Sequence, residues 1–211
     1  MPYRRRGLEF ALFSVGEVAR MRAFKFWLEV IVAEIGLFFG SDEGNTENAS
    51  LRIQARLGED VVEVLDIADV TQLDFTRYDK IILGIPTWDF GQIQSDWEEF
   101  WHDVSEVDFS GKTVAMFGLG DQFGYGDFFL DAMGMLHDVV KEAGGKMIGY
   151  WPIDGYEFDE SKALLAGQNM FVGLGLDEDQ QAELSATRLN EWCRQIHREF
   201  ALESPVQDLE D

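Results

Sequence analysis

Ile35-Gly36-Leu37-Phe38-Phe39-Gly40-Ser41-Asp42-Glu43-Gly44-Asn45-Thr46 is the stretch on which the fold turns. A short apolar run passes through a glycine-bearing loop straight into a segment of helical period, Thr46 to Leu57, which is the signature of a βα unit. That geometry aims free backbone N–H groups and the positive end of a helix at a bound anion. A Walker loop would place Lys and Ser/Thr after its second glycine; Asn45 and Thr46 stand there instead, which argues against nucleotide triphosphate hydrolysis. The loop offers the hydroxyls of Ser41 and Thr46 and the amide of Asn45 but no Lys or Arg, a donor set suited to a terminal monophosphate. Asp42 and Glu43 are expected to point to solvent, because a carboxylate aimed at phosphate would repel it. An ordinary βα turn capped by Asn45 or Thr46 is the competing reading.

Outward from this unit, apolar runs alternate with amphipathic ones. Strands are predicted at Ile35 to Phe39, Val61 to Asp66, Lys80 to Ile85, Thr113 to Phe117 and Met147 to Trp151. Near-continuous apolar strands are those covered on both faces. Helices are predicted at Thr46 to Leu57, Ser95 to Val104, Phe128 to Ala143 and Ser185 to Phe200. The pattern predicts a flavodoxin-like doubly wound α/β fold: a five-stranded parallel sheet of order 2-1-3-4-5 with helices on both faces. Its last strand is interrupted by a long polar loop, Pro152 to Asn169, before a further strand-like run from Met170 to Leu176. Loops of this length inside a compact domain are commonly functional.

Two more loops leave the same sheet edge, where ligands of open α/β sheets bind. One is Pro86-Thr87-Trp88-Asp89-Phe90-Gly91; the other is Gly118-Leu119-Gly120-Asp121-Gln122-Phe123-Gly124-Tyr125-Gly126. Trp88 and Tyr125 are large flat rings able to sandwich a flat heteroaromatic ligand, unless each folds down onto the core. The glycines allow backbone to approach that ligand edge-on. Asp121 has no His or Cys near it in the motif, so backbone positioning or electrostatic tuning is preferred to a general-base role. His102, His137 and His197 fall on predicted helices as surface or capping residues, while Trp97, Trp101 and Trp192 at helical spacing read as core.

The formal charge of −23 leaves no basic face for nucleic acid and favours basic protein partners. The first 34 residues hold more basic than acidic side chains, so the remainder is more acidic than the whole. The single cysteine, Cys193, reads as a small buried helix residue in a reducing compartment. No run approaches the roughly 18 apolar residues of a membrane span. Arg4, Arg5 and Arg6 precede an apolar stretch, but Glu9 and Glu17 bracket it and no small-residue cleavage site follows, so a cytoplasmic location is expected. Three segments are predicted: an extension over 1–34, a domain over 35–202 and a frayed acidic tail over 203–211. The extension is read as lying upstream of the native start; an amphipathic arm docking on a partner or membrane is the rival interpretation.

Taken together, the three loops resemble the FMN-binding loops of flavodoxins. The similarity spans about Ile35 to Leu202 and includes Gly149-Tyr150-Trp151-Pro152, Gly155-Tyr156 and Phe171 to Glu178. The interrupted last strand marks the long-chain class. Ile85 to Gly91 and Gly118 to Tyr125, with Met135-Leu136-His137-Asp138, look closest to the second flavodoxin of enteric-type bacteria. The resemblance implies an electron-transfer protein rather than an enzyme, with no catalytic residue and no metal. It implies FMN held by Ser41, Asp42, Glu43, Gly44, Asn45 and Thr46 around the phosphate. Pro86, Thr87, Trp88, Asp89, Phe90 and Gly91 would lie along one flavin face and edge, and Gly118, Leu119, Gly120, Asp121, Gln122, Gly124 and Tyr125 along the other. Ser41 and Glu43 stand where the family more often has Thr, and Glu43 removes a hydroxyl donor and adds charge.

The same resemblance implies a low-potential one-electron carrier that shuttles between a flavodoxin/ferredoxin–NADP reductase-like donor and redox acceptors with basic docking faces, as a monomer. It also implies that the backbone carbonyl of Asp89 accepts the flavin N5 proton after a peptide rotation. Such a turn is expected to need positive φ at Phe90, at a cost on the order of 1 kcal/mol. A quinone reductase-like flavin enzyme of the same fold is the alternative; no second Gly-rich nucleotide fingerprint supports it.

Overall fold

The computed structural model describes residues 33–210; the extension predicted over 1–34 falls almost wholly outside them. Strand β1 (Ile35–Phe39) has the predicted bounds and all five residues buried. It leads through the loop into α1 (Asn45–Leu57), followed by β2 (Val62–Asp66), β3 (Lys80–Trp88), a two-residue β4 (Gln92–Ile93) and α2 (Ser95–Glu106). Then come β5 (Thr113–Leu119), α3 (Asp131–Glu142), β6 (Lys146–Ile148), β7 (Trp151–Pro152), β8 (Met170–Phe171), β9 (Leu174–Leu176) and α4 (Ala182–Glu199). The sheet runs β2-β1-β3-β5-β6 with its main strands parallel, the predicted doubly wound order.

The last strand position is shared by two pieces. β6 pairs with Thr113, Val114 and Ala115 at the start of β5, and β9 pairs with Phe117, Gly118 and Leu119 at its end. Between them the long excursion is held by an antiparallel pair, β7 with β8. Its inner side is aromatic: Phe129, Tyr156, Phe158 and Phe171 lie with ring centroids 5.2–5.8 Å apart. Such contacts add to area burial and explain how a polar-looking segment is anchored. The strand predicted over Met147 to Trp151 is therefore shorter and broken at Gly149, whose φ is +76°.

Helix α3 starts three residues later than predicted, because Leu130 at its N-terminus sits in the left-handed region at φ 61° and the chain before it forms a 3₁₀ turn, Gly126–Phe128. Trp97 and Trp192 are fully buried as core. His137 is buried too, rather than on the surface or in a cap, because it lies on the inward face of α3. Cys193 is buried, and that burial pushes its thiol up to about 12.

The tail also departs from expectation. Instead of fraying, it packs along α1 and α4: Arg56 Nη2 donates to the Leu209 carbonyl at 3.0 Å and Gln207 N–H donates to the Arg56 carbonyl at 2.9 Å. Asn190 exchanges two hydrogen bonds with the Leu209 backbone, and Arg194 pairs with Asp208 at 2.6 Å. Arg56 is wholly buried, and a buried guanidinium needs acceptors: Asn190 Oδ1 and the Arg52 carbonyl supply two, and the tail adds the Leu209 carbonyl.

Candidate functional site

At the carboxyl edge of the sheet a cavity of about 470 Å³ opens where β1, β3, β5 and β9 end. Ser41, Asp42, Glu43, Asn45 and Thr46 form one wall. Gly40 lets the chain leave β1, since a Cβ there would lie 2.2 Å from Gln94 Oε1 and 2.6 Å from the Trp97 ring. Gly44 is the N-cap at φ 87°, with no side-chain cap, so neither Asn45 nor Thr46 caps the helix. Ser41 Oγ accepts the Gly44 N–H at 3.0 Å. The first-turn amides of α1 have no carbonyl of their own helix to bond, which leaves an anion-directed N-terminus at the cavity. Asp42 does not simply face solvent: its Oδ1 accepts from Gln94 Nε2 and Ser95 Oγ, each at 3.0 Å.

The second wall is Pro86, Thr87, Trp88 and Asp89. β3 and β4 pair as a hairpin, Trp88 opposite Gln92, with Asp89, Phe90 and Gly91 as its loop. Positive φ falls on Asp89 (43°) and Gly91 (83°), not on Phe90 as expected. The physical reason is steric: Gly and Asp tolerate the left-handed region, and a bulky ring does not. Phe90 is 71 % exposed and stands edge-on to Tyr125 at 6.0 Å and to Phe128 at 5.8 Å. Trp88 Nε1 is buried with no hydrogen-bond partner. Thr87 Oγ1 accepts the Ala132 N–H at 3.1 Å, fixing the hairpin to α3.

Leu119, Gly120, Asp121 and Tyr125 make the third wall. Asp121 Oδ1 accepts the N–H groups of Phe123 and Gly124, so its role in the loop is to shape the turn. Gly44, Phe90, Gly91, Gly118, Gln122 and Gly124 do not line the cavity. Gly118 lies inside β5, paired with Ile85, where a Cβ would come within 3.1 Å of Met133 Cβ. Gly124 is exposed in the turn, and a Cβ there would lie 2.1 Å from Oδ2 of the Asp121 carboxylate that binds its N–H. Gln122 turns inward and is 1 % exposed.

A fourth wall escaped the sequence reading: Glu178, Asp179 and Gln180, which follow β9. Only the pairing of β9 with the end of β5 brings them here, and the strand's interruption hid that register. Behind them Asp177, wholly buried, gathers four donors. Its Oδ2 accepts from Gln122 N–H (3.1 Å) and Nε2 (2.8 Å), and its Oδ1 from Asp179 N–H (3.1 Å) and Gln180 N–H (2.9 Å). Gln122 Oε1 in turn accepts the Glu157 N–H at 2.6 Å, tying the long excursion to the third wall. Burial holds the Asp179 carboxyl above its ordinary value, helped by the charges of Asp121, Asp177, Glu43 and Glu178.

These walls fit a ligand with an anionic end and a flat ring end. The uncapped helix start suits the first, and the orphaned indole N–H of Trp88, with the half-exposed Tyr125 ring on another wall of the same cavity, suits the second. Residues 37–192 match the family model described as Flavodoxin. Flavodoxin 1 of Escherichia coli (strain K12) is 48 % identical over 172 residues, 82 % of this chain and 97 % of the relative. Flavodoxin 2 of the same organism is also 48 % identical, over 167 residues, covering 79 % of this chain and 96 % of its own length. The solved structure of Fusobacterium nucleatum flavodoxin bound to flavin mononucleotide superposes with a TM-score of 0.74 at 30 % identity, covering 78 % of this chain and 97 % of that one.

Proposed function

Because this chain belongs to the flavodoxin family, and to its long-chain, enteric type, we propose that it holds one FMN non-covalently in the 470 Å³ cavity and carries electrons singly between a reductase and acceptor proteins. The observation that carries this is the meeting of two complementary surfaces in one cavity: the uncapped start of α1, and the rings of Trp88 and Tyr125. Ser41, Asn45 and Thr46 would hold the phosphate by backbone and neutral side-chain donors. Trp88 and Tyr125 would hold the ring, with Gly120 and Asp89 at its edges. When bound, FMN supplies the one-electron redox chemistry; the protein binds, orients and tunes it.

Tuning follows from the lining. Asp42, Glu43, Asp89, Asp121, Glu178 and Asp179 bring six carboxylates to the cavity, and no Lys or Arg is among its lining residues. Negative charge arriving there is opposed by all of them, which lowers the potential at which the site accepts an electron. For a one-electron couple about 59 mV corresponds to roughly 1.4 kcal/mol, so a few such contacts weigh heavily.

A donor resembling a flavodoxin/ferredoxin–NADP reductase, acceptors with basic docking faces, a monomeric state and a cytoplasmic location complete the proposal. The −23 charge supports the first two through attraction to basic surfaces. No helix among the described residues is long and apolar enough to cross a membrane. The quinone reductase alternative finds no support among relatives that bear the name flavodoxin. Absorption spectra during anaerobic stepwise reduction test the function: two separable one-electron steps, with a long-wavelength band that rises and then falls, are expected. Direct two-electron bleaching would favour the reductase, and failure to take up added FMN would refute both.

A further inference from the structure

We propose that Glu43 limits how much this site gains from its ligand's phosphate, so that FMN is held less tightly than the loop geometry allows and phosphate-free riboflavin competes for the same cavity. The inference rests on the flavin reading given above.

The two carboxylates of the phosphate loop differ in their engagement. Asp42 also lines the cavity, but its Oδ1 is engaged, accepting from Gln94 and Ser95. Glu43 lines the cavity, exposed, and its side chain makes no hydrogen bond or ion pair among the described residues. It stands two residues before Asn45, on the loop whose amides face an incoming anion. Its charge is felt across the cavity, where it contributes to holding the Asp179 carboxyl above its ordinary value.

Among the described residues no ion pair neutralises that charge. No cation lines the cavity, and Arg52 of α1 is engaged with Glu178 at 3.3 Å. The helix N-terminus carries the equivalent of roughly half a positive charge, against a full negative charge on Glu43. A dianionic phosphate gains from the first and loses to the second. The uncharged isoalloxazine and ribityl portions feel neither strongly, because the Coulomb term needs charge at both ends. Glu43 therefore acts on the phosphate's share of affinity and leaves the ring's share intact.

Flavin-fluorescence titrations of the full chain, freed of flavin, with FMN and separately with riboflavin test this in the native protein, Glu43→Gln and Glu43→Thr. At low salt Glu43→Gln is expected to tighten FMN roughly tenfold while riboflavin changes less than twofold, with the FMN gain shrinking as salt is added. Glu43→Thr should tighten FMN at least as much, since it restores a hydroxyl donor. An unchanged FMN affinity, or an equal shift for both flavins, would overturn the proposal. If the native chain bound neither flavin, the flavin reading itself would fall, and the proposal with it.

Discussion

Asp89 occupies the left-handed region at φ 43° in the three-residue loop joining β3 to β4, beside the exposed ring of Phe90. A left-handed position costs an ordinary side chain roughly 1–2 kcal/mol, less for Asp, and most for a β-branched residue. Asp89→Val is therefore expected to be about 1–2 kcal/mol less stable than Asp89→Gly, read from urea midpoints of the flavin-free protein. Equal midpoints would show that the loop relaxes out of this conformation. Glycine at position 90 relieves no such strain, since Phe90 is not in the left-handed region. That an Asp-Phe-Gly turn lay here was legible in the sequence. Which positions need positive φ was not, because the Trp88–Gln92 pairing that closes the hairpin sets them, and sterics then suit Asp89 and Gly91 to them.

Among the elements, β9 and the loop after it show how a cofactor wall can depend on a residue that never touches the cavity. Asp177 binds the backbone of its own loop and both nitrogens of Gln122, and Gln122 reaches on to Glu157 of the long excursion. Three segments are thus braced through one buried carboxylate and one buried amide. Asp177→Ala leaves these donors without their acceptor, at an expected cost of about 2–4 kcal/mol in denaturant unfolding. It should also speed flavin release, followed by fluorescence recovery on dilution, because Asp121 and Tyr125 lose their support. A variant with native stability and native release would show that the wall is held by other contacts. The resemblance of its loop to those of flavodoxins implies a ligand-facing Gln122. Its partner is 55 positions away, so local pattern carries no sign of the inward turn.

For the molecule as a whole, the charge of −23 sets a background that every local interaction works against. Like charges crowded on a compact surface repel, and salt weakens that repulsion over a Debye length of about 10 Å at 0.1 M. The melting temperature is expected to rise with added NaCl, most steeply below about 0.2 M, and then to level off. A melting temperature that fell with salt would mean that ion pairs such as Arg194–Asp208 outweigh the repulsion. The same screening should slow association with a basic partner protein, a kinetic counterpart that stopped-flow mixing reads directly.

The order of the main strands and helices, the bounds of β1, the three loops at one sheet edge and the presence of Trp88 and Tyr125 in those loops were determined by the sequence alone. Each depends on periodicity or on turn residues a few positions apart, which are local properties of the chain. The tertiary structure alone decided the fourth wall from Glu178 to Gln180, the inward turn of Gln122, the burial of His137 and the docking of the tail on Arg56. These rest on contacts between distant residues, as far apart as Arg56 and Leu209, 153 positions away. A polar side chain shows only its chemistry in the sequence; whether it faces solvent, ligand or a buried partner is fixed when packing brings that partner to it.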